Sequence, residues 1–222
     1  MAASVQNSLK VALRKRMKAL LSCITPEARN QQSQTVTAKV SQVTTPLNAS
    51  KQLLFLVSQV LQNEAFRQAQ RVSIYLSTSD ELDTTAIICE MFRLEKSVFV
   101  PSYQGSKMKM VRLRDMSEYE NLPLTKWNIK QPDFKETRED AMTNGHGIDL
   151  FIVPGVAFTR RGDRLGHGMG YYDKYLTQHA EKYPHKKTTI MALALNEQIV
   201  GDDELPVDDH DVRLQCVVTD NS

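Results

Sequence analysis

Cysteine is scarce in this chain. Its three residues, Cys23, Cys89 and Cys216, are widely spaced, odd in number and set in apolar surroundings. This argues against a disulfide framework or a thiolate zinc site and suits a reducing compartment. Long apolar runs are missing as well: stretches such as Leu53 to Val57 fall far short of the roughly 18 residues that read as a membrane-spanning helix. Nor does charge of one sign dominate. With 28 basic and 26 acidic residues the net charge is +2, so the summed field offers nothing to draw nucleic acid or a membrane surface, and neither partner is expected. The N-terminus lacks a secretory apolar core. Its Lys10, Arg14, Lys15, Arg16 and Lys18 faintly resemble a mitochondrial presequence, but Glu27 follows closely, so the cytosol is expected, with at most a minor mitochondrial fraction. Two common phosphate-binding signatures are also absent. There is no Gly-Lys-Ser/Thr triplet and no G-x-G-x-x-G spacing, which counts against a P-loop ATPase and an ordinary dinucleotide-binding dehydrogenase.

What is present is a pattern of alternating strands and helices. Val5, Leu9, Ala12, Leu13, Met17, Leu20 and Leu21 recur near helical spacing, with basic residues largely opposite them, which predicts an amphipathic helix over 5–22 with a positive side. Thr25-Pro26-Glu27 announces a second helix running to about Val43. After Arg71 come short apolar strands, predicted at 72–76, 97–100, 108–113, 150–153, 189–194 and 215–219, with helical patterns at 84–94 and 171–180. The polar stretch from Asn121 to Gly147 reads as irregular surface. The expected fold is therefore α/β, one three-layer Rossmann-like domain over residues 1–222, with a mostly parallel central sheet and an N-terminal helical pair.

The run from Phe151 to Asp173 carries the chemistry. An apolar strand feeds a turn holding Gly162, Gly166, Gly168 and Gly170, and a helical pattern begins at Tyr171. Glycines at alternate positions let the backbone approach a ligand, so that successive N–H groups and the helix start converge on an anion. Arg164 adds a forked cation and Asp173 stands one turn into the helix, where it can bind hydrated magnesium or serve as a local cap. A glycine-rich connection that merely turns tightly is the plainer alternative.

The strings Val153-Pro154-Gly155-Val156-Ala157-Phe158 and Gly162-Asp163-Arg164-Leu165-Gly166-His167-Gly168-Met169-Gly170-Tyr171-Tyr172-Asp173 resemble the signature of the 5-formyltetrahydrofolate cyclo-ligase family. The resemblance extends to Lys10 and Arg14, to the stretch from Ile74 through Glu81 to Thr84, to Phe99-Val100-Pro101, to Trp127-Asn128-Ile129, and to Pro206 with His210-Asp211. It implies an ATP- and Mg²⁺-dependent enzyme that converts 5-formyltetrahydrofolate, with or without a polyglutamate tail, into 5,10-methenyltetrahydrofolate, and acts as a monomer. By matching positions, ATP would meet Lys10, Arg14 and the loop Arg164, Leu165, Gly166, His167, Gly168, Met169, Gly170, Tyr171 and Tyr172. The folate would meet Arg14, Leu76, Glu81, Trp127, His167, Gly168, Met169, Gly170 and Tyr171. Arg164, Gly168 and Tyr171 would stand at the reacting atoms, and Asp173 and Asp211 would hold Mg²⁺. Each assignment has a plainer reading. Lys10 and Arg14 read equally as the solvated face of a helix, Glu81 and Asp83 as helix caps, Asp211 as a surface residue, the tyrosine pair as packing and Trp127 as a loop anchor.

Three departures from the family pattern stand out. His167 and Met169 occupy loop positions where other residue types are expected, and Ser102 follows Pro101 where arginine is frequent, which puts any phosphate contact there in doubt. Removing Ser41 to Val60 would also restore the family's usual spacing. An insertion at about 41–60 is therefore predicted, forming a loosely attached surface excursion whose deletion leaves activity intact. A non-catalytic nucleotide or RNA binder and an NADP oxidoreductase are the competing functional classes, each with weak support.

Overall fold

The computed structural model describes residues 2–22, 51–78, 81–125, 129–143 and 146–219, with side chains from residue 5 in the first segment and residue 56 in the second. Six strands form the central sheet: β1 (Arg71–Ile74), β2 (Ser97–Gln104), β3 (Lys107–Leu113), β4 (Leu150–Val153), β7 (Thr189–Ala194) and β8 (Cys216–Thr219). Their order is β3-β2-β1-β4-β7-β8. Every pairing is parallel except the β2–β3 hairpin. Strands β1 and β4 are buried along nearly their whole length, as expected of parallel strands covered on both faces. A two-stranded ribbon, β5 (Ala157–Phe158) with β6 (Arg164–Leu165), stands beside the sheet.

The sheet order places the site. From β1 the chain steps outward to β2, then returns to lay β4 against the other side of β1. The loops leaving the carboxyl ends of β1 and β4 therefore diverge around one crevice, the position where open α/β sheets bind ligands. Glu81 is on the first loop and the glycine-rich turn on the second.

Helix α1 (Ala2–Ser22) differs in orientation from its sequence pattern. Leu13 and Met17 are buried with Ala157, Leu165 and Leu205, but Val5, Leu9 and Leu20 are exposed, while Lys10 is only 8% exposed. The inward stripe is thus Lys10, Leu13 and Met17, at i, i+3 and i+7. The buried ammonium has the two carboxylate partners that a charge removed from water requires.

The predicted second helix, about 26–43, lies outside the described residues, as do positions 41–50 of the predicted insertion. Residues 51–60 correct the expectation of a loose surface excursion. They form most of α2 (Lys51–Gln62), in which Leu56, Val57 and Val60 are buried in the main core. That face packs against β8 and α4 (Thr85–Arg93; α3 is the short Glu64–Gln68). Each such side chain contributes about 1.5–3 kcal/mol when buried, so the segment belongs to the fold. The described residues between Asn121 and Gly147 are mainly irregular, preceded by α5 (Met116–Glu120), and α6 (Tyr171–Lys182) follows the glycine loop.

Candidate active site

The glycine loop is built from β4 outward. Within it, Gly168 and Gly170 have φ of +108° and +65°, conformations in which a Cβ is strained; Gly170 turns the chain directly into α6. Arg164, buried on β6, clamps this framework. Its Nη1 donates to Pro154 O at 3.1 Å and its Nη2 to both carboxylate oxygens of Asp173 at 2.9 Å. The fork expected to reach a phosphate thus ties the end of β4 to the first turn of α6. Asp173 also accepts from Val212 N at 3.2 Å, which joins the helix to the C-terminal segment carrying Asp211.

Helix α1 lays two cations across the loop. Lys10 Nζ donates to Asp208 Oδ2 at 2.7 Å and to Asp211 Oδ2 at 2.6 Å. Burial disfavours its charge, but the two carboxylates outweigh that and raise its pKa. Arg14 Nε donates to Gly166 O at 2.9 Å. Lys10 and Arg14 are thus both held by tertiary partners rather than standing free in solvent, so the solvated-face reading fails for both.

Two recesses meet at Arg14. A cleft of about 990 Å³ is lined by Lys10, Arg14, Arg164 to Gly166, Gly168 to Gly170, Asp173 and Asp211. A smaller one of about 270 Å³ is lined by Arg14, Lys18, Glu81, Gly155, His167 and Gln198. Glu81 Oε2 accepts from Thr78 N at 2.9 Å, and its Oε1 lies 3.2 Å from His167 Nε2. Burial would raise the Glu81 pKa, but these hydrogen bonds hold it below the usual carboxylate range. The helix-cap reading does not account for these contacts.

Tyr171 packs its ring on Tyr103 at a centroid distance of 5.0 Å and donates its hydroxyl to Gly105 O. Tyr172 is buried beside the Arg164 guanidinium. Leu76 is buried just after β1, Met169 is exposed, and Trp127 lies outside the described residues. Ser102 is buried and donates to Pro132 O at 2.8 Å, so its hydroxyl is committed to the scaffold. Tyr103 and Asp208 were missed by sequence reasoning. Asp208 had a local signal in the acidic run 208–211, whereas Tyr103 had none, since only the β2 pairing brings it beside α6.

The carboxylates also suit a divalent cation. Asp208, His210 and Asp211 each offer a ligand atom, all within 4.8 Å of one another. Asp173 and Asp211 line the same cleft as the glycine loop. A magnesium ion typically takes one or two carboxylates and completes its shell with phosphate oxygens and water, so this donor set fits.

Comparison with known proteins agrees with the geometry. A model of the 5-formyltetrahydrofolate cyclo-ligase family matches residues 6–220. The chain is 38% identical over 227 residues to the mouse (Mus musculus) 5-formyltetrahydrofolate cyclo-ligase, covering 100% of this chain and 98% of the relative. The chain belongs to the 5-formyltetrahydrofolate cyclo-ligase family. A second cyclo-ligase relative, the probable enzyme of Caenorhabditis elegans, is 35% identical over 217 residues, covering 97% of this chain and 94% of its own. The fold also matches the solution structure of 5,10-methenyltetrahydrofolate synthetase from Aquifex aeolicus, with a TM-score of 0.69 at 24% identity over 96% of this chain and 91% of that one. This chain is thus a cyclo-ligase-family enzyme, and among its described residues no helix is long and apolar enough to cross a membrane.

Proposed function

We propose that this enzyme cyclises 5-formyltetrahydrofolate to 5,10-methenyltetrahydrofolate at the expense of ATP, releasing ADP and phosphate. The observation that carries the reading is the position of Arg14, which lines both the large cleft and the Glu81 recess while bonding the glycine loop. The large cleft has the cations and loop backbone that phosphates require. The smaller has a carboxylate, which can accept paired N–H bonds from the amide-amine edge of a pterin.

The chemistry needs both. A formamide oxygen is a poor leaving group, so it attacks the γ-phosphorus of ATP and ADP departs. The folate N10 then attacks the activated formyl carbon, the ring closes, and the C–O bond breaks to release phosphate. Phosphoryl transfer is promoted chiefly by positioning and charge neutralisation. In this reading Lys10 and Arg14 hold the phosphates, residues 164–172 wrap them, and Glu81 and Leu76 orient the pterin with Tyr171 beside the formyl group. Asp211 and Asp173, directly or through water, would hold a Mg²⁺ ion that screens phosphate charge. Because Lys10 and Arg14 are working groups in this reading, α1 belongs to the active enzyme rather than to a cleaved presequence. The test is ATP-dependent appearance of the methenyl chromophore from 5-formyltetrahydrofolate. Folded protein that yields none overturns the proposal.

A further inference from the structure

His167 is set apart from its loop neighbours by where its side chain goes. It leaves the glycine loop for the opposite wall and meets Glu81 Oε1 at 3.2 Å, while Glu81 Oε2 is held by Thr78 N. The two partners differ in solvent access: the His167 side chain is 58% exposed and that of Glu81 13%. The imidazole therefore covers a mostly buried carboxylate from the mouth of the recess they share. The loop is anchored on one side of His167, where Arg14 holds Gly166 O, and Gly168 on the other has a backbone freedom that other residues lack. A swing of residue 167 leaves those anchors in place.

We infer that His167 competes with the folate for Glu81, so that the glycine loop of this chain tunes folate affinity through one displaceable ion pair. The inference rests on the reading of Glu81 as the pterin-binding carboxylate. A pterin edge that uses both carboxylate oxygens must take Oε1 from His167. The cost of taking it depends on the proton carried by the imidazole: a protonated ring makes an ion pair, a neutral ring only a hydrogen bond. The other groups around the pair are Arg14 and Lys18 from α1, Tyr75 and Asp83 from the turn after β1, Tyr103 from β2, and Tyr171 and Tyr172 from α6. By type these titrate well away from neutrality. Among these side-chain types histidine is the one that changes charge between about pH 5 and 8.

The test is equilibrium binding of 5-formyltetrahydrofolate to the full chain without nucleotide, from pH 5.8 to 8.0, followed by calorimetry. The native enzyme should bind about two- to fivefold more tightly at the upper end, the range expected for losing one partly exposed ion pair. His167→Gln should bind with a flat profile and more tightly than native at pH 5.8. A flat native profile, or a slope that persists in His167→Gln, overturns the inference. A second readout needs no folate: the imidazole resonances of His167, assigned by their loss in His167→Gln, should titrate differently in Glu81→Gln. An unchanged titration means the pair does not form, which sinks the inference while leaving the cyclo-ligase reading intact. If the titration moves but native protein binds no folate at any pH, the reading of Glu81 fails and takes the inference with it.

Discussion

The two halves of the site are built differently. On the cleft side, Lys10 is nearly buried between Asp208 and Asp211, and Arg164 is buried with both nitrogens of its fork occupied. These two cations have carboxylate partners on other elements, joining α1 and β6 to α6 and the C-terminal segment. On the recess side a single contact, His167 to Glu81, closes the space from an exposed loop. The difference suits the two proposed ligands. A polyphosphate is recognised through charge, so its cradle gains from being rigid before binding. A folate is a large, shape-specific substrate, and a side that exchanges one partner can admit it.

Substitutions should separate the halves. Lys10→Met strips the shared partner from Asp208 and Asp211 and should give the largest effect, a fall in kcat/KM on the order of 10²- to 10³-fold, seen mainly as lost ATP-dependent turnover in chromophore assays. Loss of fewer than tenfold would mean that Lys10 serves only to dock α1. Glu81→Gln should come next, raising the KM for folate by about tenfold or more through loss of a charge-assisted pair while the KM for ATP stays nearly constant. Equal shifts in both constants would dissolve the division into two recesses. Arg14→Lys retains charge but loses the planar fork; a smaller change of a few-fold should fall on both substrates together, as its position at the junction requires. Leu56→Ala should have the least effect on turnover per folded molecule, yet lower stability by about 2–5 kcal/mol in denaturant titrations. A loss below about 0.5 kcal/mol would restore the loose excursion first expected of 41–60.

Much of the frame was legible in advance because it rests on local signals. Buried parallel strands are near-continuous apolar runs, so 150–153 and 189–194 were read to the residue, and glycines marked the loop because only they accept its backbone angles. The errors fell where a tertiary partner overrode a local pattern. On α1, apolar periodicity pointed Val5, Leu9 and Leu20 inward, but only Leu13 and Met17 of that stripe are buried, and Lys10 joins them. In α2, residues 56–60 looked dispensable against the family's spacing, although their own periodicity suits a buried face. Tyr103 and the pairing of His167 with Glu81 span long separations along the chain, beyond the reach of any local pattern.

The sequence by itself determined the α/β class, the strand positions, the glycine loop and the family, since each depends on residue types at short, fixed spacings. Only the tertiary structure decided how these parts meet. The reversal of strand order between β1 and β4 opens the crevice and brings Glu81 opposite His167, and α1 packs with Lys10 turned inward between Asp208 and Asp211. The physical reason is distance along the chain: a crevice at a strand-order reversal is made by loops from two strands, and a buried charge such as Lys10 must find its partner on whatever segment the fold brings beside it.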